Sequence, residues 1–441
     1  MQTNLIQKYT RQVPRYTSYP TVPAWNGAPT FAIWMNEFKD AQNVDLYIHV
    51  PYCLSLCYYC GCNKKVTKNR TKGSEYVDLL LKEWNLYLKK NKEIKINSIH
   101  FGGGTPNFLY ATDLKRLLEI LSLNFSDDFI GAIEVDPRSI SEEQISVLGQ
   151  YKFKRVSMGI QDFSPVVQEK INRIQPFERV KKVTEEFRKN GFESINFDLI
   201  YGLPGQSDET IKDSFQKTIS LWPDMIAYYS YAHLPNKFPS QRLFHDKDLP
   251  NAALKKHLFL LGSEFLNQND YMAIGLDHFA RKGSYLNQAF EKGTLMRSFM
   301  GYTDKKAPVT LGLGVSAISS TNHFYVQNPI DVKDYESQLS DESLSFTKGH
   351  CFKGEDHLRD EIIQTLMCQK RISESGMAKL ADFETISAKL EVMQNDGLLT
   401  KMKSEWQVSQ AGGPYLRVIA ALFDEYLGDA HKKGIQFSSS I

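Results

Sequence analysis

The sequence predicts an α/β fold: an incomplete (β/α)6 barrel with an N-terminal arm and a C-terminal, mostly helical domain of winged-helix type. Three observations predict it. Between about residues 44 and 234, a short β-branched or aromatic run alternates six times with a loop and a helix-period segment. That is the pattern of βαβ units on a parallel sheet. Polar and glycine residues gather at the C-terminal end of almost every run, where a (β/α) barrel builds its active site. The composition then changes near residue 335. The expected divisions are 1–36 for the arm, 37–335 for the barrel and 336–441 for the C-terminal domain.

Residues 1–36 show little periodicity, and Arg15-Tyr-Thr-Ser-Tyr-Pro-Thr is turn-rich and aromatic, so an irregular arm is expected. The first strand is Val44-Asp-Leu-Tyr-Ile-His-Val, followed by a cysteine loop and a helix near 75–90. Ser98-Ile-His-Phe, Gly102-Gly-Gly-Thr-Pro and a helix near 111–124 form the second unit. Gly131-Ala-Ile-Glu-Val-Asp-Pro leads to a helix from Ser141, and Arg155-Val-Ser-Met-Gly-Ile-Gln to helices at 165–172 and 177–190. The fifth run, from Ser194, precedes a helix near 208–221, and the sixth, from Met225, a long helix near 254–267. Two further strand-like runs cover 271–276 and 309–315. In the C-terminal part 360–368, 375–381 and 385–395 read as helices, then a β-hairpin from Gly397, then a helix over 413–427. Three helices and a hairpin suit a winged helix. The third of these helices carries Glu384, Lys389 and Glu391, with Asp396 after it, and has no basic excess, so packing or lid duty is expected rather than DNA binding.

The 441 residues carry 53 Lys+Arg against 51 Asp+Glu, a net charge of +2. This near balance removes the global field that would draw the chain onto nucleic acid or an anionic membrane. Apolar stretches such as 418–423 are too short to span a bilayer, and the first eight residues lack the apolar segment of a signal peptide. A soluble, cytoplasmic protein, expected to be a monomer, is the reading.

Cys53, Cys57, Cys60 and Cys62 fall within ten residues. Clustered thiolates favour zinc or an iron–sulfur cluster. A closed zinc site using all four is one reading and would leave a zinc-stabilised winged-helix regulator. Yet Cys60-Gly61-Cys62 is tighter than the usual zinc knuckle, and zinc leaves the polar strand ends unexplained. A cluster held by three cysteines leaves one iron open to a ligand.

Cys53-x3-Cys57-x2-Cys60 after the first strand of such a barrel, with Gly102-Gly-Gly-Thr-Pro after the second, resembles the radical S-adenosylmethionine (radical SAM) superfamily. Within it the chain is most similar to the oxygen-independent coproporphyrinogen III oxidase family. The likeness rests on Pro14-Arg-Tyr-Thr-Ser-Tyr-Pro-Thr, Cys60-Gly-Cys-Asn-Lys, Glu134-Val-Asp-Pro-Arg, Ser157-Met-Gly-Ile-Gln-Asp-Phe, Asp198-Leu-Ile-Tyr-Gly-Leu-Pro, Tyr231-Ala-His-Leu-Pro, Gly275-Leu-Asp-His-Phe-Ala and Gly312-Leu-Gly-Val-Ser-Ala-Ile-Ser. It covers nearly the whole chain. Tyr52 and Tyr59 stand where the family more often has phenylalanine, and Phe101 where it often has tryptophan.

The resemblance implies a 4Fe-4S cluster on Cys53, Cys57 and Cys60, and two S-adenosylmethionine molecules. Tyr47, Gly103, Glu134 and Ile318 match positions around the first molecule. Tyr59, Gly104, Thr105, Gln161, Arg173, Asp198 and Ala232 match positions around the second. Cys62 stays off the cluster, either to serve the reaction or as a passive small residue. The implied reaction is oxidative decarboxylation of two propionates of coproporphyrinogen III to vinyl groups, giving protoporphyrinogen IX in haem synthesis. A reduced one-electron donor, flavodoxin or ferredoxin, is the implied partner. Another tetrapyrrole protein of the superfamily, for haem degradation or delivery, is the neighbouring reading. Four carboxylates on an apolar macrocycle call for cations and aromatics; Arg15, Arg281 and Arg297 are the cationic candidates, with ordinary surface arginines as the alternative for each, and Tyr16 and Tyr19 are the candidate aromatic walls. The basic run from Asn63 to Lys72 is expected to guide an acidic donor or to be a solvated loop.

Overall fold

The computed structural model describes residues 2–438; Met1 and 439–441, the outer ends of the expected arm and C-terminal domain, lie outside the described residues. Six strands, β1 (Asn43–Val50), β2 (Lys95–Gly103), β3 (Phe125–Val135), β4 (Phe153–Gln161), β5 (Ser194–Tyr201) and β6 (Met225–Ser230), lie side by side in chain order, all parallel. A further parallel strand, Val309–Leu313, pairs with the other edge of β1. Antiparallel strands extend both edges into a twelve-stranded sheet that ends at Lys348–Cys351 and Tyr271–Ala273, so the barrel is open.

The strands alternate with period two. Val44, Leu46, Ile48 and Val50 of β1, Ile99 and Phe101 of β2, Ile133 and Val135 of β3, Val156, Met158 and Ile160 of β4, and Ile195, Phe197 and Leu199 of β5 are buried in one core with the outer helices. The intervening residues face a cavity of about 510 Å³: Asp45, Ser98, His100, Glu134, Ser157, Asn196, Asp198 and Tyr229 all line it. Parallel sheets ordinarily bury apolar residues on both faces. Here much of the inner face is polar, with Ile130, Ala132 and Met225 as apolar exceptions, and the lumen is an open cavity rather than a packed core.

Local signals set the helix starts. Ser141 and Gln144 form a reciprocal capping box before Glu142–Gln150, as do Ser207 and Thr210 before Asp208–Ser220. The final helix expected over 413–427 is broken into short turns at Gly413–Tyr415, Leu416–Ala420 and Ala421–Phe423, with a separate helix at Leu427–Lys432. Asp424 leaves the helix to accept from Tyr16 Oη at 3.0 Å and from the Tyr426 amide at 2.9 Å. The arm is also more regular than expected, with helices at Gln2–Tyr9 and Phe31–Asn36. Tyr9, Val13, Tyr16 and Tyr19 join the C-terminal core around Trp406 and Phe423. Tyr335, Leu339 and Leu344 pack on the barrel core, while the C-terminal core begins in Asp356–Gln369. Arg371–Ser373, Leu399–Lys401 and Glu405–Val408 complete the wing as an antiparallel sheet. Among the described residues no helix is long and apolar enough to cross a membrane.

Glu83, buried in the helix Thr71–Lys90, pins the far edge of the barrel. It accepts from the Gly314 amide at 2.7 Å, Asn328 Nδ2 at 2.7 Å and Tyr335 Oη at 2.5 Å. These bonds fix the turn between Val309–Leu313 and Ile318–Ser320, and Ile318 lines the site. Burial raises the Glu83 carboxyl from 4.5 to about 7. Its native state therefore holds a proton that the unfolded chain releases. The stability this supplies is full below pH 4.5 and is lost as pH rises through about 7. In Glu83→Gln, unfolding free energy measured by urea titration should lose that fall between pH 4.5 and 7. In Glu83→Ala it should drop by about 3 kcal/mol, with the Gly314 amide and the Tyr335 hydroxyl left unpaired and Asn328 keeping only its bonds to backbone carbonyls.

Candidate active site

Gly103 and Gly104 let the cysteine loop lie against the end of β2. A Cβ on Gly103 would stand 2.8 Å from the His49 ring, at a backbone φ of +112. A Cβ on Gly104 would stand 3.0 Å from backbone atoms of Val50, Pro51 and Tyr52. Both sites need glycine for close approach. The Gly104 amide then donates to Val50 O at 2.8 Å, which ties the two strand ends together.

Cys53, Cys57, Cys60 and Cys62 line one cavity of about 200 Å³ with Gly103, Gly104 and Thr105. Thr105 Oγ1 donates to Cys53 Sγ at 3.2 Å. Two guanidinium groups approach Cys57 Sγ, Arg173 Nη1 at 3.6 Å and Arg138 Nη2 at 3.7 Å. Lys64 Nζ donates to Cys60 O at 3.2 Å. The adjacent Cys62 draws the Cys60 thiol down and is itself pushed well up, while burial raises Cys53 to about 11. Among the described residues no three His, Cys, Asp or Glu side chains converge as one ion's ligands would. The thiols instead surround a chamber.

Glu134, Gln161, Asp198, Tyr59 and Arg173 line the same chamber. Glu134 is 45% exposed to the cavities, with Oε1 3.1 Å from His100 Nε2. Asp198 accepts from Ser157 Oγ and Asn196 Nδ2, both at 2.8 Å, and burial raises its carboxyl to about 7. Gln161 sits in the left-handed region at φ +68, where the β4–β5 register shifts; such strain concentrates at functional sites. Arg173 is already engaged: Nε and Nη2 reach Gly159 O, and Nη1 reaches Asp136 as well as Cys57. Tyr47 Oη lies 3.1 Å from His49 Nδ1. Tyr47 and Ile318 border a second cavity of about 420 Å³, which shares Cys62, Gly103 and Glu134 with the thiol chamber. Ala232 follows β6 and is partly buried. Glu134 borders all three cavities and so joins them.

Some expected residues stand elsewhere. Arg281 pairs with Asp224 and lies over Trp222, ahead of β6 and away from the thiol chamber. Tyr16 and Tyr19 are fully buried in the C-terminal core rather than lining a pocket. Others are not foreseen from the sequence: Asp136, Arg138, His49, His100, Lys306 and His278 all border the cavities. Asp136 and Arg138 lie inside the Glu134-Val-Asp-Pro-Arg motif, but only the fold shows that they turn toward Cys57.

The radical SAM superfamily model matches residues 47–218. An oxygen-independent coproporphyrinogen III oxidase of Pseudomonas aeruginosa is 35% identical across 98% of this chain and 97% of that protein. The enzyme of the same name from Escherichia coli K12 is 36% identical, covering 96% of this chain and 95% of that one. The solved structure of coproporphyrinogen III oxidase from Escherichia coli, described as a radical SAM enzyme, superposes with a TM-score of 0.88. It is 34% identical over 94% of this chain and 100% of that chain.

The chain belongs to the oxygen-independent coproporphyrinogen III oxidase family. Membership implies an iron–sulfur cluster and S-adenosylmethionine, and the residues present fit both. Soft thiols surround one chamber, with fixed cations against Cys57 to offset their charge. Four Cys→Ser variants purified without oxygen test the ligand set. Iron and sulfide should be lost for Cys53, Cys57 and Cys60 and retained for Cys62→Ser, with chemical analysis as the readout.

Proposed function

We propose that this chain carries out the oxygen-independent oxidative decarboxylation of two propionates of coproporphyrinogen III to vinyl groups, giving protoporphyrinogen IX. The reading rests on family membership over the full chain and on one observation. The thiol chamber opens, through Glu134, onto larger cavities rimmed by cations. The cluster, which Cys53, Cys57 and Cys60 would hold, would supply one-electron reduction of S-adenosylmethionine and thereby radical hydrogen abstraction from a propionate.

The protein's part is placement. Cys53, Cys57 and Cys60 hold the cluster, and Cys62 remains at the rim, facing the second cavity. Tyr47, Gly103, Glu134 and Ile318 surround the first S-adenosylmethionine. Glu134 offers a carboxylate to its ammonium group. Tyr59, Gly104, Thr105, Gln161, Arg173, Asp198 and Ala232 surround the second. Arg173 works there chiefly through Asp136 and Cys57, since most of its donors are spent.

Substrate carboxylates suit the second cavity, about 420 Å³, which Arg297 and Lys306 line together with Thr17 of the arm. Arg297 Nε and His278 Nδ1 are buried without a hydrogen-bond partner among the described residues, so each has capacity to spare. Arg15 pairs with Asp277 and lies 5.5 Å from the centre of the Tyr229 ring. The arm, packed between the C-terminal core and these cavities, supports residues 1–36 as a lid that excludes water. A cytoplasmic monomer reduced by flavodoxin or ferredoxin completes the reading, with barrel 37–335 and C-terminal domain 336–441 as its divisions.

Anaerobic incubation with coproporphyrinogen III, S-adenosylmethionine and a reductant should give protoporphyrinogen IX and two carbon dioxide per substrate. No product from cluster-loaded protein would refute the assignment. Arg297→Met should raise KM for the porphyrinogen about tenfold, through loss of a charge-assisted hydrogen bond worth about 1.5 kcal/mol. Equilibrium titration should find two S-adenosylmethionine sites per chain; one site would remove the second molecule.

A further inference from the structure

Residues 54–74 contain Lys64, Lys65, Lys68, Arg70 and Lys72 and no Asp or Glu. The fold brings this basic run back onto the first cysteine. Tyr52–Cys53 and Lys65–Val66 are short strands paired in parallel, with Cys53 in register with Val66. The Lys65 amide donates to Pro51 O at 2.6 Å, and the Thr67 amide to Cys53 O at 3.0 Å. Cys53 is buried, while Lys65 and Lys68 are exposed and Val66 is 44% exposed. The backbone of Cys53 is thus one hydrogen bond from a strand that faces solvent.

The cations of the run divide into two sets. Arg70 is spent on the carbonyls of Asn107, Phe108 and Leu109, Lys72 on Glu75 at 2.6 Å, and Lys64 on Cys60 O. Lys65 and Lys68 carry no ion pair among the described residues. Of the carboxylates near the neighbouring Tyr52, Glu75 is paired with Lys72, while Glu336 carries no ion pair among the described residues. On the other side of the cysteine loop, Tyr58 and Tyr59 pack with Tyr231 and Phe244, which covers that approach.

We infer that Lys65, Val66 and Lys68 form the docking face for the protein that delivers the electron, a small one-electron carrier with an acidic surface around its redox group. The inference rests on the reading of Cys53, Cys57 and Cys60 as cluster ligands. One electron passes from the reduced carrier to the cluster. The carrier is oxidised by one electron, the cluster is reduced by one, and no bond is made or broken. Two free lysines flanking an exposed apolar side chain steer an acidic partner and give it a small dry contact. The route avoids the cavities, so delivery need not open them to water.

The test uses cluster-loaded protein under anaerobic conditions, with bleaching of the cluster followed by stopped flow. Reduced flavodoxin and dithionite are the two reductants. Lys65→Glu/Lys68→Glu should slow reduction by flavodoxin at least tenfold and flatten its dependence on ionic strength, with the dithionite rate within about threefold of the parent. Lys181→Glu/Lys212→Glu makes the same charge change on the outer helices and should keep the flavodoxin rate within about threefold. An unchanged flavodoxin rate in the Lys65/Lys68 variant would overturn the docking face. So would an equal loss in the Lys181/Lys212 control. If the charge-reversed protein fails to hold its cluster, Lys65→Gln/Lys68→Gln decides, with about a threefold loss expected and no loss contradicting. A parent that carries no dithionite-reducible cluster would sink the ligand reading itself, and the docking face with it.

Discussion

Three thiols in one chamber repel one another once ionised, and burial removes the water that would screen them. The fold answers with fixed cations. Arg173 and Arg138 each bring a guanidinium nitrogen within hydrogen-bond reach of Cys57 Sγ, and Asp136 holds both groups. Burial pulls the Asp136 carboxyl upward, but Arg173 and Arg138 more than offset it and keep it below its ordinary value. Asp136 sits just past β3, Arg173 past β4 and the cysteine loop past β1, so the network needs the parallel sheet in register. The close contacts at Gly103 and Gly104 serve the same end, since a side chain at either would push the loop away.

The second consequence of the sheet is the lumen. Alternation along each strand sends aliphatic residues to the helices and many polar ones inward, so Ser157, Asn196 and Asp198 hydrogen-bond one another at 2.8 Å. The arm and the C-terminal core then border the cavities. Arg297 Nη2 donates to Arg15 O at 3.3 Å, and Arg417 reaches the carbonyls of Val13 and Pro14. The C-terminal core and the arm are thereby tied to each other and to the cavity walls.

Much of this is legible in the amino-acid sequence. Six βα repeats are visible as alternating runs, and the four close cysteines mark a soft-metal site, with the choice of an iron–sulfur cluster over zinc coming from the family resemblance. What sequence reading misses is long-range. The Arg173–Cys57 contact joins positions 116 residues apart, and the Asp136–Arg173 pair positions 37 apart. Sequence reading misplaces Arg281 because a cation near a motif carries no sign of which end of its strand it serves. It misreads Tyr16 and Tyr19 because an aromatic arm looks the same whether it lines a pocket or fills a core. The broken helix after Gly413 escapes for a similar reason: Asp424 accepts from the buried Tyr16, some 408 residues earlier.

The central claim is that three thiolates hold the cluster and one iron is left for S-adenosylmethionine while Cys62 stays apart. Mössbauer spectroscopy of protein loaded with isotopically enriched iron tests it directly. Adding S-adenosylmethionine should shift one iron of the four away from the other three, in the parent and equally in Cys62→Ser. Four equivalent irons that do not respond, or a response that disappears in Cys62→Ser, would contradict the account.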